Sequence, residues 1–176
     1  MIIRAYGLYW NPDTVDWGVP GQQNKGMLTG TFKNARGKKI ETDIWDQRGI
    51  YCLYKEFRLI YVGKAFRQSL GKRLRDHLAD RFAGRWDGFS WFGTDTIEEN
   101  GALKKHQRKK ISIETLIDAL EAILIGINEP PLNRRHEKLP QARLIQQVCR
   151  TGTGTISQRL TQIDSKLDTL IKRKKK

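Results

Sequence analysis

Two β-prone runs, residues 49–54 (Gly-Ile-Tyr-Cys-Leu-Tyr) and 59–63 (Leu-Ile-Tyr-Val-Gly), are separated only by Lys55-Glu56-Phe57-Arg58. So short a connection joins strands as an antiparallel hairpin, because a parallel pair needs a crossover of a dozen or more residues. A helix is expected directly afterwards: Leu70, Leu74 and Leu78 recur every four residues across 69–82, and Ser69 suits the N-cap. Residues 89–93 (Phe-Ser-Trp-Phe-Gly) read as a third strand, and the polar stretch 94–110 as a loop. Ser112 can cap a second helix running to Ile127, whose apolar positions Ile113, Leu116, Ile117, Leu120, Ile123, Leu124 and Ile127 form one broad stripe. Glu129-Pro130-Pro131 ends it.

On either side of this centre the patterns are looser. Residues 2–10 are β-prone, residues 11–30 carry the glycines and prolines of a long loop, and 31–33 with 39–45 suggest a hairpin turning at Asn34-Ala35-Arg36-Gly37. Residues 141–150 read as a short helix and Thr151-Gly152-Thr153-Gly154-Thr155 as a linker. Beyond it Ile156, Leu160, Ile163, Leu167 and Leu170 recur at steps of four, three, four and three, the seam of a coiled coil, before the basic end Lys172-Arg173-Lys174-Lys175-Lys176. A seam of two heptads is marginal in water, so it needs a surface on its own domain or on a partner, a second copy included. The expected organisation is an N-terminal β and loop elaboration (1–46), a central domain (47–150), and a linker with an amphipathic helix (151–176). The expected class is α/β in the α+β sense: a small, mostly antiparallel sheet of about three strands flanked by helices.

Composition narrows the function. The 176 residues, 38% hydrophobic, suffice for one packed domain, which excludes a disordered tail or a fibre. Lys and Arg number 33 against 19 Asp and Glu, a net +14 that points to an anionic partner, nucleic acid first. No apolar run approaches the roughly 18 residues of a membrane span, and Met1-Ile2-Ile3-Arg4 does not open a signal peptide, so a cytoplasmic protein with no membrane partner is expected. Cys52 and Cys149 lie far apart, which supports neither a disulfide framework nor a zinc site; two buried free thiols are expected.

Taken alone, Tyr51 and Tyr61 are strand tyrosines with half-buried rings. Their setting is more specific: Gly49-Ile50-Tyr51 and Tyr61-Val62-Gly63 stand on adjacent strands of one hairpin, where the two rings can share a face. These tripeptides resemble the two halves of the GIY-YIG nuclease signature, and the residues that follow fit the rest of it. Gly63-Lys64-Ala65 resembles the segment where many members keep a lysine. Leu70-Gly71-Lys72-Arg73 resembles the family's Leu-x-x-Arg, which places Arg73 as the catalytic arginine, with His77 one turn on. Among Arg67, Arg73 and Arg75, helix geometry favours Arg73, which shares a face with His77. Ala119-Leu120-Glu121-Ala122 supplies the carboxylate, and Pro130-Pro131-Leu132-Asn133 resembles the closing Pro-x-x-Asn. The resemblance covers residues 47–133.

The resemblance implies a GIY-YIG sheet and a metal-dependent endonuclease that hydrolyses phosphodiester bonds in DNA, with one Mg²⁺ or Mn²⁺ held by Glu121 as Lewis acid. Arg73 would bind the nonbridging oxygens as a fixed fork. Tyr51, acidified by Arg73, Lys64 or the metal, would be the general base, with Tyr61 positioning the water or sharing it. His77 is the alternative base, because an imidazole titrates near neutral pH without tuning. Lys64 and Asn133 complete the set.

Substrate grip would be spread over Lys64, Lys72, Arg75, Arg81 and Arg85 around the first helix and Lys104, Lys105, Arg108, Lys109 and Lys110 before the second. Trp86, Trp91 and Phe92, like Trp10, Trp17 and Trp45, would either stack on unpaired bases or pack in the core. A restriction or defence nuclease and a structure-specific or repair nuclease both fit. The competing class is a non-catalytic nucleic-acid-binding module that oligomerises, or docks on a complex, through 156–170.

Overall fold

A computed structural model describes residues 2–18, 25–105, 112–128, 139 and 142–149. Its elements are β1 (Ala5–Trp10), β2 (Thr29–Lys33), β3 (Lys39–Asp43), β4 (Gly49–Lys55), β5 (Arg58–Ala65), α1 (Leu70–Asp76), β6 (Gly88–Gly93), β7 (Thr96–Ile97), β8 (Leu103–Lys104), α2 (Ile113–Asn128), β9 (Arg143–Leu144) and β10 (Gln146–Gln147). The fold is mixed α and β, and mostly sheet. The main sheet has five strands in the order β5-β4-β6-β1-β9, beside a three-stranded β10-β2-β3 and a two-stranded β7-β8.

The β4–β5 hairpin is present, with Lys55 opposite Arg58. Glu56 and Phe57 close it at φ 50° and 62°, both in the left-handed region, which is the geometry that matches the strands' twist and that Asn-Gly adopts most easily. The β2–β3 hairpin also forms, its turn tied by the Asn34 side chain, which accepts from the backbone N–H groups of Arg36 and Lys38.

Several expectations are corrected. The main sheet has five strands rather than three, because β1 adds antiparallel to β6 and β9 adds parallel to β1. Within residues 1–46, β1 thus joins the main sheet while β2 and β3 form the separate sheet with β10, and Trp10, Leu28, Ile44 and Trp45 share one buried cluster with Tyr51, Trp91 and Leu74. The stretch expected as a helix at 141–150 is extended at β9 and β10. There Ile145 is fully buried between the exposed Leu144 and Gln146, the two-residue alternation of a strand. The loop expected at 94–110 contains the β7–β8 ladder.

Helix α1 ends at Asp76 rather than running to 82. The Asp80 carboxylate accepts the Phe82 N–H at 2.8 Å, offering the backbone a turn in place of the next helical bond. Its start is pinned by two backbone bonds, Leu70 N–H to the Gln47 carbonyl and Gly71 N–H to the Trp45 carbonyl, both 2.9 Å.

Alternation along β4 sorts the core into two faces. Tyr51 and Leu53 point with Phe89 and Trp91 towards α1, whereas Cys52 and Tyr54 point with Phe92 towards α2. The stripe expected on α2 is rotated. The helix lays Ala119, Ala122, Ile123 and Ile127 on the sheet, small residues that let it approach, and leaves Ile113, Leu116, Ile117, Leu120 and Leu124 exposed. The aromatic rings split as well: Trp10, Trp45, Trp86, Trp91 and Phe92 are buried and Trp17 packs against them, so these rings serve the core rather than base stacking. Of the two thiols Cys52 is buried, its pKa pushed up to about 11 by desolvation, while Cys149 is exposed, contrary to expectation. No helix among the described residues is long and apolar enough to cross a membrane.

Candidate active site

The site is built where β4, β5 and the end of α1 converge. In the β4–β5 register Tyr51 lies opposite Gly63, and a Cβ on Gly63 would stand 2.3 Å from the Tyr51 hydroxyl. Only glycine there lets the Tyr51 side chain lie across β5. Gly49 has a matching reason, since its Cβ would meet the Phe92 carbonyl oxygen of β6 at 1.9 Å. Both tripeptide glycines therefore serve close packing around the two tyrosines.

Tyr51 is wholly buried, and its hydroxyl lies 2.7 Å from His77 Nε2. His77, only 2% exposed, places Nδ1 2.7 Å from the Asp80 carboxylate. A carboxylate only accepts, so Nδ1 carries the proton that is donated to Asp80. In the neutral imidazole Nε2 is then left to accept from the Tyr51 hydroxyl. The His77 carbonyl accepts from the Trp86 indole N–H at 3.3 Å, and the Tyr61 and Phe82 rings pack against the imidazole at centroid distances of 5.4 and 5.1 Å. The result is a directed chain, Tyr51 to His77 to Asp80, whose tyrosine and histidine lie inside an aromatic wall and whose carboxylate is at the surface.

The chain continues towards the surface. Tyr61 is half-buried with its ring 6.1 Å from that of Tyr51, and it and Arg73 are close enough to act on the ionisation of the Tyr51 hydroxyl. Desolvation dominates Tyr51: although Arg73 pulls its pKa down, burial and Tyr61 push it up to about 12. The expectation that Tyr51 is acidified is thus reversed, because the ring sits inside the protein rather than at its rim. The Asp80 carboxyl is held below its ordinary range. Partial desolvation pushes it up, but the Phe82 N–H, His77 and Arg73 together outweigh that.

Tyr61 and Arg73 open onto a cleft of about 780 Å³ lined also by Lys64, Phe66, Arg67 and Gln68. Three of these six residues are cationic. Phe66 is 62% exposed, and the Gln68 amide oxygen is buried with no hydrogen-bond partner among the described residues. Such a wall suits a phosphate with an adjoining flat, polar group.

Other expected residues lie elsewhere. Glu121 is exposed on α2, and α2 packs on the sheet face opposite to α1, so it is not brought to the tyrosines; it stands outside the helix side laid on the sheet rather than at the core margin. No group of three His, Cys, Asp or Glu side chains able to hold a metal occurs among the described residues. Glu121, the carboxylate expected to hold the ion, thus stands on the sheet face away from Tyr51, Tyr61 and Arg73. Arg75 lies over the Trp45 ring at 5.4 Å and donates to the Trp17 and Lys25 carbonyls, which makes it a tie to the N-terminal loop rather than a free phosphate contact. Lys72, Arg81, Arg85 and Lys105 are exposed, and Lys104 pairs with Glu98 at 3.4 Å. Arg108, Lys109, Lys110, Asn133 and the seam residues Ile156, Leu160, Ile163, Leu167 and Leu170 lie outside the described residues. The residue that sequence reasoning missed is Asp80; its one signal is an acid three positions after His77. No family model, curated protein or solved structure matches the chain.

Proposed function

We propose that this protein is an endonuclease that hydrolyses phosphodiester bonds in nucleic acid, DNA in the first instance, at the cleft formed by Tyr61, Lys64, Arg67 and Arg73. The observation that carries this reading is the hydrogen-bonded chain Tyr51–His77–Asp80 standing directly behind Tyr61 and Arg73 in a cationic cleft. The resemblance of residues 47–133 to GIY-YIG nucleases supports it, as does the central position of β4 between β5 and β6, with both tyrosines on one face. A net charge of +14 supports a polyanionic substrate.

The residues divide the chemistry as follows. Arg73, with Lys64 and Arg67, binds the nonbridging oxygens of the scissile phosphate and stabilises the charge that builds on them in the transition state. Tyr51 is buried and does not reach the attacking water, so the contact with water falls to the half-exposed Tyr61, and Tyr51 is a positioning residue. As water attacks phosphorus, its proton passes to the Tyr61 oxygen while the Tyr61 proton moves to Tyr51 and the Tyr51 proton to His77 Nε2. The phosphorus–oxygen bond to the leaving group breaks and the departing alkoxide takes a proton from solvent in the open cleft, while the proton taken from the attacking water rests on the His77 imidazole, held as imidazolium by the Asp80 carboxylate, until it returns to solvent. No tyrosinate need exist beforehand, which resolves the difficulty that burial makes Tyr51 a weaker acid. The resemblance also implies one Mg²⁺ or Mn²⁺ on Glu121, but Glu121 stands on the sheet face away from the tyrosines, and no step here runs through an ion.

The test is cleavage of supercoiled plasmid in buffers containing Mg²⁺, Mn²⁺ or EDTA, comparing wild type with Arg73→Ala. Nicking or linearisation by the wild type, lost in Arg73→Ala while the variant still retains DNA, is the expected result. Salt-sensitive DNA retention without cleavage under any of these conditions would replace the nuclease with a non-catalytic binding module.

A further inference from the structure

The outer face of α2 is an apolar surface for which the described residues give no covering neighbour. Ile113, Leu116, Ile117, Leu120 and Leu124 are each between 45% and 77% exposed, on a helix whose opposite side already covers the sheet. Five such side chains along one helix face exceed the scattered apolar residues of an ordinary surface. The same helix is acidic: it carries Glu114, Asp118 and Glu121 and no Lys or Arg, in a chain of net charge +14.

We propose that residues 156–170 of the same chain cover this face, closing α2 between the sheet and the C-terminal seam. Three observations select this occupant. Ile113, Ile117, Leu120 and Leu124 recur at steps of four, three and four, and Ile156, Leu160, Ile163 and Leu167 repeat those steps, so the two stripes match in spacing and length. The charges complement each other through the end of the segment: 156–170 balances Arg159 and Lys166 against Asp164 and Asp168, and the five cations at 172–176 that follow meet a helix carrying three carboxylates and no Lys or Arg. The segment belongs to the same chain: six residues, Arg150 and the Thr-Gly-Thr-Gly-Thr run, separate the last described residue, Cys149, from Ile156, and they span about 20 Å when extended. A tether that short concentrates the seam around its own domain, whereas two copies of a strongly cationic chain repel each other. The surface stands independently of the nuclease reading, because it uses the sheet face opposite to Tyr51.

With the two stripes in register, Leu120 faces Ile163 if they run parallel and Leu160 if they run antiparallel. The test is therefore full-length protein carrying Leu120→Cys with Ile163→Cys, or Leu120→Cys with Leu160→Cys, each together with Cys149→Ser, oxidised gently and run on a non-reducing gel; the remaining Cys52 is wholly buried. The expected product is a disulfide within one chain, of monomer mass and altered mobility, with a yield unchanged over a hundredfold range of protein concentration. A product of twice the mass whose yield rises with concentration would assign the face to a second copy and overturn the proposal. Both engineered thiols left free after oxidation in each of the two pairs would overturn it as well. A parallel full-length variant, Leu160→Glu with Leu167→Glu, should expose the α2 face and raise binding of an apolar fluorescent dye several-fold. An unchanged dye signal would count against the contact.

Discussion

The two faces of the main sheet bury their residues in opposite ways. On the α1 side, polar groups lie deep in an aromatic cluster and are paired: Tyr51 with His77, His77 with Asp80, and Gln47, wholly buried, with the backbones of Arg48 and Asp95. On the α2 side the contacts are Ala119, Ala122, Ile123 and Ile127 against Cys52, Tyr54 and Phe92. A buried polar chain has few workable geometries, because each unpaired member costs a desolvation penalty, while aliphatic contacts tolerate many arrangements. The α1 side is therefore the one equipped to hold a reactive geometry.

Several measurements break or sharpen this contrast, from the largest effect down. Arg73→Ala should lower the cleavage rate by about 100-fold or more, the scale of removing one charge-stabilising donor, without loss of fold. Gly63→Ala would push a methyl group into the Tyr51 ring, so it should destabilise by about 1–3 kcal/mol in denaturant unfolding and disable cleavage as well. Tyr51→Phe leaves His77 Nε2 without its partner and should cost about 1–3 kcal/mol, whereas Tyr61→Phe, at the half-exposed end, should lose rate with little loss of stability.

Titration tests the same contrast. The Tyr51 pKa is raised in the fold, so its contribution to stability is complete below the ordinary tyrosine value near 10 and is lost as pH rises towards about 12. Wild type should lose thermal stability across that window, and Tyr51→Phe should flatten the loss. Asp80 has the opposite sign. Its lowered pKa contributes stability above the ordinary aspartate range that is lost on acidification, so the gap in Tm between wild type and Asp80→Asn should close as pH falls below about 4. The smallest effect lies away from both faces. Replacing Glu56-Phe57 by Asn-Gly removes two strained left-handed residues and should stabilise the hairpin by about 1 kcal/mol.

The hairpin, α1 and the pairing of Tyr51 with Tyr61 were legible because each follows from local spacing: a four-residue connection, leucines four apart, and glycines beside the tyrosines. What escaped depends on partners distant in sequence. Ile145 alternates like a strand residue only once β1 and β2 stand on either side of its segment, so 141–150 read as helix. The orientation of α2 was misread because its alanines, not its longest apolar stripe, face the sheet, and that moved Glu121 into solvent. Asp80 was missed because an acid after a helical histidine is unremarkable until the helix ends and its turn brings the exposed carboxylate onto His77 Nδ1.

The most direct test is single-turnover cleavage of a labelled duplex by wild type, Tyr61→Phe, Tyr51→Phe and Arg73→Ala, with binding measured on the same substrate. We expect all three variants to lose most of the cleavage rate while binding stays within a few-fold of wild type. Undiminished cleavage by Tyr61→Phe and Tyr51→Phe would show that the buried chain behind the cleft is structural and that the chemistry lies elsewhere.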